Sequence, residues 1–142
     1  MKITQKSLLH YDIKILVALL ESVKGSKKFF RFLLNNGYPE LAAWSNVMRG
    51  DEEALKWLFD NNYFTLAIMT IAIDGHDKAR TWILETKDDF LINFTAACRK
   101  DRQAMQWLKD NELDIFLKMA IEEQKILKIQ AKDRMFFYRW RS

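Results

Sequence analysis

The sequence repeats with a period of 25 residues, and this period constrains the fold more than any other feature. Three of the four glycines, Gly25, Gly50 and Gly75, are 25 residues apart. Other columns keep the same spacing: Phe32, Trp57, Trp82 and Trp107; Leu33, Leu58, Ile83 and Leu108; Leu16, Leu41, Leu66, Leu91 and Phe116; Trp44, Met69, Phe94 and Met119. Because the columns run in phase, the chain is built from copies of one structural unit.

Each copy has the pattern of two short helices. In the copy that begins at Gly50, Asp51 is a suitable N-cap, and Ala54 and Trp57 then share one face of a first helix. The second helix, residues 64–73, is apolar almost all round. Helices of about ten residues do not persist alone in water. They must therefore stack, with the first helices as an outer wall and the second helices as a buried inner layer.

The pattern predicts an all-α fold, an α-solenoid of stacked antiparallel helix pairs. With only 4 Gly and 1 Pro, the composition also favours helices over a sheet with many turns. We expect a single domain over residues 1–142, in which residues 1–24 form an N-terminal capping half-repeat. Residues 25–124 hold four repeats, and residues 125–142 form a basic and aromatic C-terminal capping helix.

Two segments resemble parts of the ankyrin repeat. Residues 50–62, GDEEALKWLFDNN, are similar to the second helix of that repeat, and residues 71–76, IAIDGH, to the end of its first helix and the following glycine turn. The resemblance covers about residues 25–124 and implies a right-handed stack that binds proteins on its concave face. Since an ankyrin repeat has roughly 33 residues, the copies here lack the part that would form the projecting β-hairpin.

The second helices offer a candidate binding surface on the side opposite to their buried columns. This stripe consists of Ala43, Asn46, Ile68, Ile71, Asn93 and Ala96, continued by Lys118 and Ile121. Exposed apolar patches often mark partner sites, although neighbouring helices could also cover these residues. We therefore expect a non-catalytic protein-interaction module, a scaffold or adaptor with one protein partner. Self-association through the same groove is a further alternative.

The C-terminal segment suggests a different function. Residues 118–142 contain seven basic and three acidic residues and so account for the whole net charge of +4. The basic residues Lys128, Lys132, Arg134, Arg139 and Arg141 alternate with Phe136, Phe137, Tyr138 and Trp140. This composition suits nucleic-acid binding or an anionic membrane surface. The remaining alternative is a capping helix whose aromatic side chains pack on the last repeat.

Residues suited to catalysis or metal binding are few. His10 and His76 have no metal-ligand spacing, and His76 occupies the column of helix caps. Cys98 continues the column of Met48 and Ile73, which predicts a small buried hydrophobic residue rather than a nucleophile. Three glycines are used in helix turns, so no phosphate-binding loop is available. We expect no enzymatic activity, no metal and no cofactor.

The sequence also gives an expectation for localisation. The longest uninterrupted apolar run near the N-terminus, residues 15–20, is too short for a membrane span or a signal-peptide core. A single cysteine fits a reducing compartment. We therefore expect a cytoplasmic protein.

Overall fold

The structure, a computed structural model, describes residues 7–141 and the side chains of residues 7–135. This part of the chain is all-α, with a short 3-10 helix and nine α-helices that pack neighbour to neighbour. The 3-10 helix is Leu8–His10, and the α-helices are α1 (Ile13–Val23), α2 (Lys27–Asn35), α3 (Pro39–Met48), α4 (Glu52–Asp60), α5 (Phe64–Ile73), α6 (Asp77–Glu85), α7 (Asp89–Cys98), α8 (Arg102–Asp110) and α9 (Asp114–Arg141).

The helices alternate between an outer and an inner layer, as the apolar pattern predicts. The outer helix α4 buries one of its nine residues, Leu58, whereas the inner helix α5 buries six of ten. The other outer helices, α2, α6 and α8, are also mostly exposed. The inner layer consists of α1, α3, α5, α7 and the first half of α9, and the core of the protein lies among these helices.

The 25-residue period also appears in the backbone angles of the turns between helices. Positive φ angles recur in two columns, Gly25, Gly50, Gly75 and Lys100 in the first, and Gly37, Asn62, Lys87 and Glu112 in the second. A left-handed residue ends a helix and lets the chain reverse its direction. Lys100 has φ 70° where the other copies have glycine, so the turn forms even where the sequence has lost its best residue.

The predicted caps are present in three of the four copies. Ser26, Asp51 and Asp101 each accept a hydrogen bond from a backbone N–H in the first turn of the following helix. His76 occupies the N-cap of α6, but its side chain makes no capping hydrogen bond. The first turn of α6 is therefore held less firmly than its counterparts.

An aromatic cluster lies in the core among the inner helices. The rings of Trp44 in α3 and Phe94 in α7 lie 6.1 Å apart, and Phe116 in α9 contacts Phe90 at 4.7 Å. Helices two copies apart therefore meet directly, and α9 also contacts α1. The space among the inner helices is thus filled by the chain's own side chains.

The C-terminal part differs from the predicted organisation. The boundary expected between residues 124 and 125 falls inside α9, which runs unbroken because no Gly or Pro interrupts residues 114–141. Residues 131–135 are all exposed, and five residues cover more than one helical turn. Within this turn, Asp133 and Arg134 nevertheless line a cavity beside Asp74. The expected packing of Phe136, Phe137, Tyr138 and Trp140 on the last repeat concerns side chains outside the described residues.

The column of positive φ angles that includes Lys100 leads to a prediction about stability. Replacing Lys100 by Gly removes the strain of a side chain at positive φ, so we expect the free energy of unfolding to rise by about 1 kcal/mol. For a chain of this size that corresponds to a melting temperature higher by about 2–4 °C, measured by circular dichroism. The matched control is Lys109→Gly inside α8, which is expected to lower stability by about the same amount. An unchanged or lower melting temperature for Lys100→Gly would contradict the prediction.

Candidate functional site

The structure places the predicted inner-helix stripe at half-buried positions. These are Ala43, Asn46, Ile68, Ile71, Asn93, Ala96 and Ile121, while Lys118 is exposed. Ala43, Ile68 and Ala96 pack against the core. Asn46 lines a cavity beside α1 and α2, whereas Ala96 lines a second one beside α6 and α8. The stripe is thus spread over separate parts of the surface.

The predicted nucleic-acid residues are divided between two sides of α9. Lys128 and Lys132 are exposed on the outer side. Arg134 is also exposed, but it lines a cavity beside Asp74 on the opposite side of the helix. The side chains of Arg139 and Arg141 lie outside the described residues. Of the three residues whose side chains are described, Arg134 therefore lies apart from Lys128 and Lys132.

The outer side of α9 instead carries a more regular basic surface. Lys118, Lys125 and Lys132 follow each other at seven-residue intervals, and Lys128 lies on the same side. All four are exposed, and we call them the lysine face. From residue 118 to 132 the helix rises about 21 Å. Lys125 also forms an ion pair with Glu122 at 3.2 Å.

The inner side of α9 carries a buried carboxyl group, Glu123. Only 2% of this residue is exposed, and its Oε2 atom has no hydrogen-bond partner within the described residues. Burial, reinforced by the nearby charge of Asp74, raises the pKa of Glu123 to about 8, although Arg49 opposes this shift. The Glu123 carboxyl therefore holds its proton at neutral pH.

Asp74 is the second acidic residue of this region, and it directly follows α5 as the C-cap. The residue is exposed, yet partial desolvation raises its pKa above the usual range, while the positive charges of His76, Arg134 and Arg99 oppose this effect. Asp74 lines a polar cavity of about 630 Å³ between the ends of the inner helices and the second half of α9. A smaller cavity of about 40 Å³ adjoins both Asp74 and Glu123. We call these two spaces the α9 cavity.

Backbone geometry helps to shape the α9 cavity. Gln130 of α9 donates a hydrogen bond from Nε2 to the carbonyl oxygen of Arg49 at 3.3 Å. A Cβ atom at Gly50 would lie 2.9 Å from that same Nε2 atom. The absence of a side chain at Gly50 thus lets α9 cross close to the C-terminal end of α3.

Sequence reasoning missed both acidic residues, although the repeat contained a signal for each. Glu123 continues the column of Met48, Ile73 and Cys98, in which every other member is buried and apolar. The second residue, Asp74, stands in the column of Arg49, Arg99 and Gln124. A residue whose chemical type differs from that of the equivalent residues in the other copies is a candidate for a functional role rather than a structural one.

Cys98 has the structural environment predicted for it. The residue is 0% exposed. Burial raises the pKa of the Cys98 thiol well above its ordinary value, and the charge of Glu123 acts in the same direction. Such a thiol is a poor nucleophile at neutral pH. Within the described residues, no group of three or more His, Cys, Asp or Glu side chains could hold a metal ion.

No family model matches the chain, and neither a curated protein nor a solved structure is significantly similar to it. Over residues 7–141, no helix combines the length and the apolar character needed to cross a membrane.

The buried carboxyl group of Glu123 leads to a prediction about how the stability of the fold depends on pH. Between the ordinary pKa of 4.5 and the folded-state pKa of about 8, the folded protein keeps a proton on Glu123 that the unfolded chain loses. This group therefore lowers the stability as the pH rises through that range. We expect Glu123→Gln to remove this loss, which is on the order of 4 kcal/mol. Urea unfolding at several pH values measures the effect.

The matched control for this experiment is Glu122→Gln, which alters the neighbouring carboxyl in the surface ion pair with Lys125. Its stability should follow the pH dependence of the natural protein. Equal pH dependence of Glu123→Gln and the natural protein would show that Glu123 is ionised in the fold without cost.

Proposed function

We propose that this protein is a non-catalytic interaction module that binds an acidic segment of a partner protein through the lysine face of α9. The observation that carries the proposal is the exposure of Lys118, Lys125, Lys128 and Lys132 along one side of a single helix. Complementary charge favours an acidic partner and speeds its association.

Apolar side chains beside the lysines favour a protein over a nucleic acid. Ile129 and Met135 are each 59% exposed, and helix geometry places Ile129 next to Lys125 and Lys132. A protein surface offers apolar groups to such side chains, whereas a phosphate backbone does not. Residues 1–117 have no net charge, so the body as a whole carries no excess of positive charge for a long nucleic acid.

Other predictions made from the sequence also belong to this proposal. We propose that the helix pairs form a right-handed, ankyrin-like α-solenoid and that the protein acts in the cytoplasm. The half-buried stripe around Ile68 and Ile71 stays a prediction for a second contact surface. Self-association stays a prediction as well, and its test is the molecular mass in solution as a function of concentration.

Nucleic-acid binding through α9 is the second candidate. The observation that favours it is the seven-residue spacing of the lysines, which Arg139 continues along the described backbone of the helix. This candidate predicts that the affinity for a thymidine oligonucleotide falls steeply with salt concentration.

The test reverses the charge of the lysine face. We expect the triple variant Lys118→Glu, Lys125→Glu and Lys132→Glu to bind its protein partner with an affinity at least about tenfold lower than that of the natural chain. The partner is captured from a nuclease-treated lysate of the source organism and quantified by mass spectrometry. The helical circular dichroism of the variant should be unchanged, since all three residues are exposed.

A control triple variant carries the same change of net charge elsewhere: Lys14→Glu, Lys27→Glu and Lys78→Glu, all exposed in the first turns of α1, α2 and α6. The proposal requires a protein that the natural chain and the control retain and that the lysine-face variant loses. If the lysine-face variant instead loses only oligonucleotide binding, the second candidate is correct. If both triple variants retain the same proteins, the lysine face is not the binding surface.

A further inference from the structure

The repeat shows which chemical group normally occupies the C-terminal end of an inner helix. Arg49 donates from Nη1 to the carbonyl oxygen of Val23 at 3.1 Å, and Arg99 donates in the same way to Ile73 at 2.8 Å. In the last copy, the Nε2 atom of Gln124 donates to a carbonyl near the end of α7 at 2.7 Å. Three of the four copies therefore place a hydrogen-bond donor there, as the negative end of a helix favours.

The fourth copy reverses this chemistry. Its residue in the same column is Asp74, which can only accept hydrogen bonds when ionised. A second acid, Glu123, replaces an apolar residue in the neighbouring column. Both carboxyl groups line the same small cavity, beside the C-terminal ends of α3 and α5. Two independent departures from the repeat thus make one place acidic.

Cations of the chain lie near this place, but none of them forms an ion pair with either carboxyl group within the described residues. Arg49 and Arg99 are engaged with backbone carbonyl groups. Arg134 lines the larger cavity, yet none of the ion pairs in the described part of the chain includes Asp74 or Glu123. A carboxyl group with an unpartnered, fully buried oxygen is costly unless something compensates it.

We infer that the α9 cavity binds a small organic cation, an alkylammonium or guanidinium group, between Asp74 and Glu123. Beside Gly50, Gln130 fills the position that the guanidinium groups of Arg49 and Arg99 take beside Gly25 and Gly75. The bound group therefore lies next to Gln130, in the small cavity that adjoins both Asp74 and Glu123. It donates hydrogen bonds to the two carboxylates and lies at the negative ends of two helices. The cavity of about 630 Å³ leaves room for the remainder of the ligand.

The inference is independent of the lysine face, because the cavity and the lysines lie on opposite sides of α9. Its test uses the natural chain with butylamine and methylguanidine as probes and butanol as the neutral control, measured by isothermal titration calorimetry. For groups of this size we expect a Kd of about 1 mM for the two cations. Binding of butanol equal to that of butylamine would overturn the inference.

Three variants locate the probe. At pH 9, where Glu123 is ionised, Glu123→Gln and Asp74→Asn should each weaken binding by about tenfold or more, because each removes one carboxylate. Asp74→Arg restores the residue type of the column and should abolish binding, since its own guanidinium then fills the place. Glu123→Gln is expected to fold at least as stably as the natural chain, so its loss of binding cannot come from unfolding. Unchanged affinity in Glu123→Gln would overturn the inference.

The pH dependence of binding gives a second readout. Glu123 is faced by Asp74 from α5, by Arg49 after α3 and by Cys98 of α7. Because a cation binds the ionised carboxylate, the affinity of the natural chain should rise between about pH 6 and pH 9. Glu123→Gln should show no such rise. A rise of equal size in this variant would assign the pH effect to another group and overturn the role of Glu123.

Two sources could provide the cation, and a peptide distinguishes them. The peptide has a single arginine between glycines, with both ends blocked. Tighter binding of the peptide than of methylguanidine supports an arginine side chain of another protein as the natural occupant. Tighter binding of the free amines supports a small metabolite of the same chemistry. If neither the peptide nor the amines bind, the site does not exist.

Discussion

The structure depends on the burial of the inner helices against one another. Each inner helix before α9 has only ten or eleven residues, which is too short for a stable isolated helix. Contacts among Trp44, Phe94 and Phe116 supply the missing stabilisation, because these large side chains are removed from water together. The outer helices contribute less buried surface and mainly shield the inner layer from solvent.

A filled interior leaves two kinds of place for function, namely the exposed faces and the helix ends. At the helix ends, carbonyl groups without intrahelical partners need donors. Arg49 and Arg99 meet this need in their own copies. Where Asp74 interrupts the series, the end of α3 receives Gln130 from α9 instead. The path of α9 and the loss of one arginine are thus linked features of the same end of the molecule.

Helix α9 connects the two proposals. Its outer side carries the exposed lysines, and its inner side carries Glu123 and Gln130 over the ends of the inner helices. A single straight helix can present both because its side chains point in all directions around the axis. The basic segment could be recognised from composition. The separation of Arg134 from Lys128 and Lys132 required the helix to be placed on the body.

The helices, their caps and the two layers could be predicted from the sequence, because these follow from interactions within a few residues and from a strict period. It did not reveal that α9 continues through residue 124 or that the inner layer returns to α1. The proximity of the exposed Asp74 to the buried Glu123 follows from the tertiary structure. Asp74 and Glu123 are 49 residues apart, and their meeting depends on the packing of α9 over the end of α5. No local pattern encodes that contact, since it arises from the summed packing of all the intervening helices.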